Sequence, residues 1–199
     1  MPKIFVFDVG GVIIFHDNTL LLRRLISRMK RAPDEAALLK TIRGSGIGTG
    51  ASAVSQLWTS LVSDYSWTGT YDEFLSDWSS HFLPNELMLE SIRSIVAAYP
   101  IIFCSNTNRE HWSALCERYD LTSLCQHAVL SFEVGVEKPD ARIYARVANI
   151  FQEVAHDSFF FVDDDDENIK SAKEYGFYVH RYVDHFDFLS DLKKWSLRR

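Results

Sequence analysis

The sequence predicts an α/β protein in which a helical insertion follows the first strand of a doubly wound parallel sheet. Apolar runs rich in β-branched and aromatic residues predict buried strands at 4–7, 100–104 and 158–162. Amphipathic stretches separate the later runs, which is the alternation typical of a parallel sheet. We therefore expect a core formed by residues 1–15 and 85–199, with residues 16–84 inserted as a helical unit.

The inserted segment contains no convincing strand and four helical patterns. Apolar residues three and four positions apart define them: Leu22, Leu25, Ile26 and Met29; Leu38, Leu39 and Ile42; Val54, Leu57, Trp58 and Leu61; Phe74, Trp78 and Phe82. Pro33-Asp34 starts the second helix, and a glycine cluster at 44–50 follows it. The cluster lacks the lysine and preceding strand of a phosphate-binding loop, so we expect a flexible hinge or a loop that contacts substrate.

After the insertion, strands and helices alternate again. Pro84 suits the first turn of a helix over 85–98. The remaining predicted elements are strand 100–104, helix 109–119, a short strand near 127–131, helix 140–151, strand 158–162, helix 166–175, strand 177–180 and a terminal helix near 186–195.

Composition and charge exclude several classes of protein. The 199-residue chain has a net charge of −6 and a pI near 5.6, which argues against a nucleic-acid partner. No apolar run reaches the length of a membrane span, and no signal peptide precedes the first strand, so we expect a cytoplasmic protein without a membrane partner. Cys104, Cys116 and Cys125 have no metal-binding spacing, which favours reduced structural thiols. The oligomeric state is left open.

Four polar motifs follow the apolar runs that carry the predicted core. Asp8 ends the first strand, Ser105-Asn106 follow the second, Lys138 follows Gly135-Val136-Glu137, and Asp163-Asp164 end a later strand. Ligands of open α/β sheets bind at the carboxyl ends of the strands. A carboxylate, a hydroxyl, an ammonium group and an acidic pair at that edge predict metal-assisted phosphoryl transfer.

Each of these residue types also has an ordinary structural explanation. Asp8 suits a nucleophile, but an aspartate after a strand also caps helices. Lys138 suits charge compensation, although most lysines are solvated surface residues. Carboxylate and carbonyl oxygens without a His or Cys cluster favour Mg²⁺ over zinc. The remaining charged residues near the motifs are expected to serve at the surface or at helix ends: Arg43, Arg109, Arg142, Asp165, Asp166 and Glu167.

The order of these motifs resembles the haloacid dehalogenase-like hydrolase superfamily over essentially the whole chain. The matching segments are Phe-Asp-Val-Gly-Gly-Val, Ser-Asn-Thr-Asn, Lys-Pro-Asp-Ala-Arg-Ile-Tyr and Asp-Asp-Asp-Asp-Glu-Asn-Ile. The chain is similar to small phosphatases of sugar phosphates such as glucose 1-phosphate, and to the N-terminal phosphatase domain of soluble epoxide hydrolases. The resemblance implies a Rossmann-like core and a helical cap that folds over the active site.

The resemblance also implies roles for individual residues. Asp8 would be the nucleophile, and Mg²⁺ would be held by Asp8, the Gly10 carbonyl and the pair Asp163 and Asp164. Asp164 would be the direct ligand, although the sequence leaves the choice within the pair open. The phosphoryl group would be bound by Ser105, by backbone amides near Asn106, and by Lys138. Asn168 matches a position that often supports the metal loop.

Position 10 departs from the pattern of the superfamily. Most of its phosphatases carry a second aspartate two residues after the nucleophile, where it acts as general acid and base. Here the residue is Gly10, which offers a carbonyl group but no proton. Some sugar-phosphate phosphatases of the similar subgroup also lack this aspartate. His16, eight residues after Asp8, is a weak candidate for its replacement.

The sequence therefore predicts a magnesium-dependent phosphatase of a small phosphomonoester, such as a sugar phosphate, acting through an aspartyl-phosphate. Two alternatives stay open. A metal-free dehalogenase would share the nucleophilic aspartate, but the Asp163-Asp164 pair argues against it. A weak or inactive family member that binds a phosphorylated ligand or a protein partner is favoured only by Gly10.

Overall fold

A parallel sheet forms the centre of the molecule in the computed structural model, which describes residues 3–197. Its strands are β1 (Ile4–Phe7), β4 (Ile101–Ser105), β5 (His127–Leu130), β6 (Phe159–Asp163) and β7 (Tyr178–Arg181). Their order is β5-β4-β1-β6-β7, and every neighbouring pair is parallel. The chain starts at the central strand, extends to one side and then to the other, so the predicted doubly wound fold is confirmed.

Helices cover both faces of the sheet. They are α5 (Glu86–Val96), α6 (Arg109–Tyr119), α8 (Ala141–Ala148), α9 (Asp166–Tyr175) and α10 (His185–Ser196). Side chains of β1 alternate between the two cores: Phe5 and Phe7 pack in one apolar cluster, while Ile4 and Val6 pack in the other. Burial on both faces explains why this strand is a continuous apolar run.

Four helices lie between the first strand and the rest of the sheet, as the apolar spacing predicts. They are α1 (Asn18–Ser27), α2 (Glu35–Gly44), α3 (Val54–Tyr65) and α4 (Tyr71–Trp78), and residues 18–78 are called the helical segment below. Asp34 caps α2 by accepting a hydrogen bond from the Ala37 amide, which explains the start signal at Pro33-Asp34. The segment has its own apolar core, in which Leu25, Leu38 and Phe74 are fully buried.

A short antiparallel ribbon connects the helical segment to the sheet. It pairs β2 (Ile14–His16) with β3 (Phe82–Pro84). The expectation that residues 16–84 contain no strand was therefore wrong at both ends of the segment. Three residues are too few to show an alternating pattern. Pro84 ends β3 rather than starting a helix, and Asn85 caps α5 instead.

The short strand predicted near 127–131 is β5, but the expectation that Gly135-Val136-Glu137 is a strand end leading to Lys138 was wrong. Residues 131–134 form the one-turn helix α7 (Ser131–Val134), and Gly135, with φ of 75°, ends it. Lys138 therefore follows a helix and a turn. A valine between a glycine and a glutamate carries too little pattern to distinguish a strand end from a loop.

The glycine cluster packs against the core, and Gly48 within it lines a cavity. Residues Ile47–Thr49 form a 3-10 turn whose Gly48 carbonyl lies 2.6 Å from Ser131 Oγ. A Cβ atom on Gly50 would lie 2.2 Å from the carbonyl oxygen of Phe132, and Gly50 has φ of +69°. Only glycine permits this close approach of two backbones.

This packing predicts that Gly50→Ala lowers the free energy of unfolding by at least ~1 kcal/mol, because the left-handed conformation alone costs a Cβ-bearing residue ~1–2 kcal/mol. Gly44→Ala is the matched control, since a Cβ there meets no atom within 4 Å. We expect the control to be neutral or slightly stabilising in urea unfolding. Equal stability of the two variants would contradict the packing described here.

Candidate active site

The sheet brings the predicted polar residues to one edge. Asp8 directly follows β1, Ser105 is the last residue of β4, and Asp163 is the last residue of β6. β4 and β6 flank β1 on its two sides, so the carboxyl ends of the three strands lie together. Lys138 reaches the same point from the loop that follows α7.

Lys138 forms a buried bridge between two carboxylates. Its Nζ lies 2.9 Å from Asp8 Oδ1 and 2.7 Å from Asp163 Oδ2, and the side chain is fully buried. Burial disfavours the ammonium charge, but Asp8 and Asp163 outweigh this effect and raise the pKa of Lys138. Lys138 therefore stays charged and buried beside the two carboxylates. It does not line the cavity that lies between this edge of the sheet and the helical segment.

Asn106 holds the backbone of Lys138. Its side chain donates from Nδ2 to the Lys138 carbonyl at 2.8 Å and accepts at Oδ1 from the Lys138 amide at 2.7 Å. The two bonds fix the loop that carries the lysine. The side chain of Asn106 is thus engaged with the Lys138 backbone, and Asn106 also lines the cavity between the sheet edge and the helical segment, where its neighbouring backbone amides were predicted to bind the phosphoryl group.

The two adjacent aspartates have different surroundings. Asp163 is fully buried and accepts hydrogen bonds from Lys138, from Asn168 Nδ2 and from the Asp165 amide. Asp164 is exposed and lines the cavity. Its carboxylate lies where a side chain on Gly11 would be, since a Cβ there would lie 2.2 Å from Asp164 Oδ2. Gly11, with φ of +73°, therefore makes room for this carboxylate.

Three carboxylates crowd the same point. Ligand oxygens of Asp8, Asp163 and Asp164 lie within 4.8 Å of one another. Burial raises the pKa of Asp8, Lys138 opposes this, and the neighbouring Asp163 adds to it. Burial and Asp163 also raise the pKa of Asp164. One ammonium group does not balance three carboxylates, so the cluster favours a further cation.

The donor set fits Mg²⁺. Its ligating atoms are carboxylate oxygens, and Gly10, whose backbone carbonyl is the expected fourth ligand, lines the same cavity. Hard oxygen donors with room for water are the ligands that this ion prefers. The remaining acidic residues at this edge serve the helix, because Asp165 caps α9 while Asp166 and Glu167 lie in its first turn.

A cavity of about 600 Å³ opens between this cluster and the helical segment. Asp8, Gly10 and Asp164 line its floor, and α2 contributes Leu39, Ile42 and Arg43 to the opposite wall. Ser105 lines a smaller neighbouring cavity of about 180 Å³, which shares Gly10, His16 and Asn106 with the larger one.

Two charged residues on the cavity wall were missed by sequence reasoning. Arg43, expected at the surface, is exposed but also lines the cavity, as does Glu137 beside Gly48. Helical spacing alone could have grouped Arg43 with Leu39 and Ile42, but not shown which face of α2 borders the cavity. By contrast, Arg142 lies at the surface in an ion pair with Asp140.

Comparison with known proteins agrees with this fold. A family model described as haloacid dehalogenase-like hydrolase matches residues 2–176. The chain belongs to this family of hydrolases.

Several solved structures share the fold. One is a haloacid dehalogenase family enzyme from Bacteroides thetaiotaomicron in complex with magnesium and inorganic phosphate, with 18% identity, TM-score 0.83, and coverage of 95% of this chain and 99% of that one. A predicted hydrolase of the family from Porphyromonas gingivalis has 18% identity, TM-score 0.82 and full coverage of both chains (100% each). L-2-haloacid dehalogenase from Xanthobacter autotrophicus is more distant, with 15% identity, TM-score 0.58, and coverage of 97% and 83%.

The length and apolarity of the helices bear on whether the chain could span a membrane. Among residues 3–197, none is both long and apolar enough to cross a membrane.

The carboxylate cluster predicts that Mg²⁺ stabilises the fold. Added Mg²⁺ should raise the melting temperature, since an ion at a hundredfold excess over its Kd contributes ~2.7 kcal/mol. Asp164→Ala should remove most of this shift. Asp166→Ala is the matched control, because Asp166 pairs with Arg181 at the surface, and it should keep the shift. An Asp164→Ala shift as large as that of the wild type would contradict this assignment.

Proposed function

We propose that this hydrolase is a magnesium-dependent phosphatase, which cleaves a small phosphomonoester such as a sugar phosphate through a phosphoryl group carried on Asp8. The observation that carries the proposal is the position of Asp8. Its carboxylate lines the cavity while its Oδ1 accepts from Lys138 Nζ and, at 2.6 Å, from the Val9 amide. These two contacts hold Asp8 Oδ1 in place, and Oδ2 takes part in neither of them.

In the proposed reaction, Asp8 Oδ2 attacks phosphorus, the ester P–O bond breaks, and the leaving oxygen takes a proton from water to depart as the alcohol. Water then attacks the phosphorus of the aspartyl-phosphate, which releases inorganic phosphate and restores the carboxylate, so one difficult displacement becomes two easier ones. Lys138 keeps the buried charge of Asp8 and Asp163 balanced while the phosphoryl oxygens approach. Ser105 Oγ, which has no hydrogen-bond partner among residues 3–197, is free to donate to the phosphoryl group.

Asp8, the Gly10 carbonyl and Asp164 would hold Mg²⁺, which supplies positive charge against the phosphoryl oxygens when bound. Asp164 suits direct ligation because it is exposed to the cavity. Asp163 is enclosed by Lys138, Asn168 and the Asp165 amide, and we assign it the role of fixing Lys138. The magnesium and inorganic phosphate bound by the related enzyme from Bacteroides thetaiotaomicron support the proposed metal ion and the proposed phosphate-containing substrate.

A small metabolite fits the cavity best. Its volume of about 600 Å³ lies within the range of small-molecule sites. The cavity wall contains both polar and apolar residues. Asn18, Asn106 and Thr107 are among the polar ones, which suits a hydroxyl-bearing leaving group. A cytoplasmic location is part of the same proposal. The dehalogenase alternative is disfavoured because a metal-free site gains nothing from three crowded carboxylates.

Asp8→Asn tests the proposed nucleophile. The amide is nearly isosteric, but it is a poor nucleophile, so hydrolysis of phosphate esters in Mg²⁺ should fall by at least about a thousandfold. The melting temperature should not fall, because the variant removes a buried negative charge. Asp72→Asn, an exposed helix residue, is the matched control. Retained activity in Asp8→Asn would overturn the covalent route, and a wild type inert towards every ester would favour the binding-protein alternative.

Gly10 generates a separate prediction about the leaving group. Without a built-in proton donor, the rate should depend steeply on leaving-group acidity, so aryl or anomeric sugar phosphates should outpace simple alkyl phosphates. Gly10→Asp should flatten this dependence, since general acid catalysis contributes ~10²–10⁴-fold. Position 10 accepts a side chain, because a Cβ there meets only the His16 ring, at 3.5 Å.

A series of esters with graded leaving-group acidity, assayed with both proteins, measures the effect. His16→Gln is the accompanying variant, because the imidazole ring lies 3.5 Å from the position that a Cβ on residue 10 would occupy. A flat dependence in the wild type that becomes steep in His16→Gln would assign the proton to His16 and contradict the prediction.

A further inference from the structure

The cavity between the sheet edge and the helical segment has two sides of different chemistry. Outside the helical segment, every residue that lines it is polar, charged or glycine, among them Asp8, Thr107 and Asp164. The helical segment contributes mainly apolar residues: Leu21, Leu22, Leu39, Ile42, Ile47 and Trp78. A phosphomonoester whose phosphoryl group lies at Asp8 therefore meets a polar side with that group and an apolar side with its leaving group.

Arg43 is the one charged residue that the helical segment contributes to the cavity lining. Among residues 3–197, no other lysine or arginine lines this cavity, and its two histidines, His16 and His111, lie outside the helical segment. Arg43 is in the last turn of α2, where a cation suits the helix dipole. The dipole explains a cation at this end of the helix, but not a cation on the face that borders the cavity.

The guanidinium group of Arg43 has no partner among residues 3–197, since it forms neither an ion pair nor a hydrogen bond there. Three other arginines of the helical segment are paired: Arg23 with Glu35, Arg28 with Glu73 and Asp77, and Arg31 with Ser66. The side chain of Arg24 is also unpaired, but Arg24 does not line the cavity. The N–H donors of Arg43 are therefore available to a bound molecule.

The acidic residues that line the cavity are Asp8, Glu137, Asp164 and Asp165, and three of them already have a role. Asp8 and Asp164 belong to the proposed Mg²⁺ site, and Asp165 caps α9. Glu137 remains, and it is exposed and forms no ion pair with Arg43. An anion bound at Arg43 would share the cavity with this carboxylate, so neutralising Glu137 should favour the anion.

We propose that Arg43 is a specificity-determining residue, which binds an anionic group on the leaving group of the substrate. This inference rests on the proposed phosphatase function and names its substrate class: a phosphomonoester that carries a second oxyanion, either a carboxylate or a further phosphate. Both groups match the planar fork of guanidinium N–H donors. Arg43 is exposed, so solvent screens the interaction and the expected effect is moderate.

Pairs of aryl phosphates test the proposal. The para- and meta-(carboxymethyl)phenyl phosphates are each compared with the corresponding carboxamide, and the methylene group keeps the acidity of the two phenol leaving groups nearly equal. We expect kcat/KM of the wild type in Mg²⁺ to be about fivefold or more higher for the acid than for the amide, at one position at least. The analogous (phosphonomethyl)phenyl phosphates show whether a carboxylate or a phosphate-like group is preferred.

Four variants assign the preference to its residue. Arg43→Gln should abolish the preference for the acid, mainly by raising KM for that substrate, and Arg43→Lys should keep part of it because the charge remains. Glu137→Gln should increase the preference. Lys40→Gln is the matched control, since Lys40 is an exposed cation of the same helix that does not line the cavity, and it should behave as the wild type does. A melting scan of each variant confirms that the fold is intact.

A binding measurement separates this inference from the proposed function. Titration calorimetry with Asp8→Asn in Mg²⁺ gives the Kd of each acid and amide without turnover, and the acid should bind about fivefold more tightly unless Arg43→Gln is also present. This preference in a protein whose wild type hydrolyses no ester would refute the phosphatase and support the anion site.

Three results would overturn the role of Arg43. They are equal kcat/KM and equal Kd for every anionic ester and its amide, a preference for the acid that persists in Arg43→Gln, and an equal loss of activity towards acid and amide in that variant.

Discussion

The buried bridge from Lys138 to Asp8 and Asp163 is the interaction on which the site depends. Two carboxylates at adjacent strand ends would repel each other without it, and an unpaired ammonium group could not remain buried. The sheet supplies the carboxylates through β1 and β6, while the loop after α7 supplies the lysine. The hydrogen bonds from Asn106 to the Lys138 backbone hold that loop in position.

Two glycines allow close packing near this bridge and at the contact between the helical segment and the core. Gly11 makes room for the Asp164 carboxylate, and Gly50 lets the helical segment approach the core at Phe132. Ser131 connects the helical segment to the loop after β4. Its Oγ donates to the Gly48 carbonyl at 2.6 Å and accepts from the Thr107 amide at 2.9 Å. The helical segment is therefore held against the loop that follows Ser105, and Gly48 and Thr107 both line the cavity.

The sequence predicted the parts of the structure that have a strong periodic or compositional signal. Asp8, Ser105 and Asp163 end apolar runs, so their meeting at one edge follows from a parallel sheet. The β2–β3 ribbon was missed because its strands have three residues each. The position of Lys138 after a turn, and of Arg43 on the cavity wall, depends on packing between distant segments. The burial of Asp163 and the exposure of Asp164 likewise depend on which of the two carboxylates Lys138 and Asn168 contact.

The measurement that tests the account most directly is the identification of the residue that carries the phosphoryl group. The enzyme is quenched in acid during turnover of an activated phosphate ester with Mg²⁺, digested, and mapped by mass spectrometry. The account predicts one added phosphoryl group on the peptide that contains Asp8, stable in acid and lost with hydroxylamine, as an acyl phosphate is. A phosphoryl group on Ser105 or a histidine, or an unmodified Asp8 peptide during rapid turnover, would contradict it.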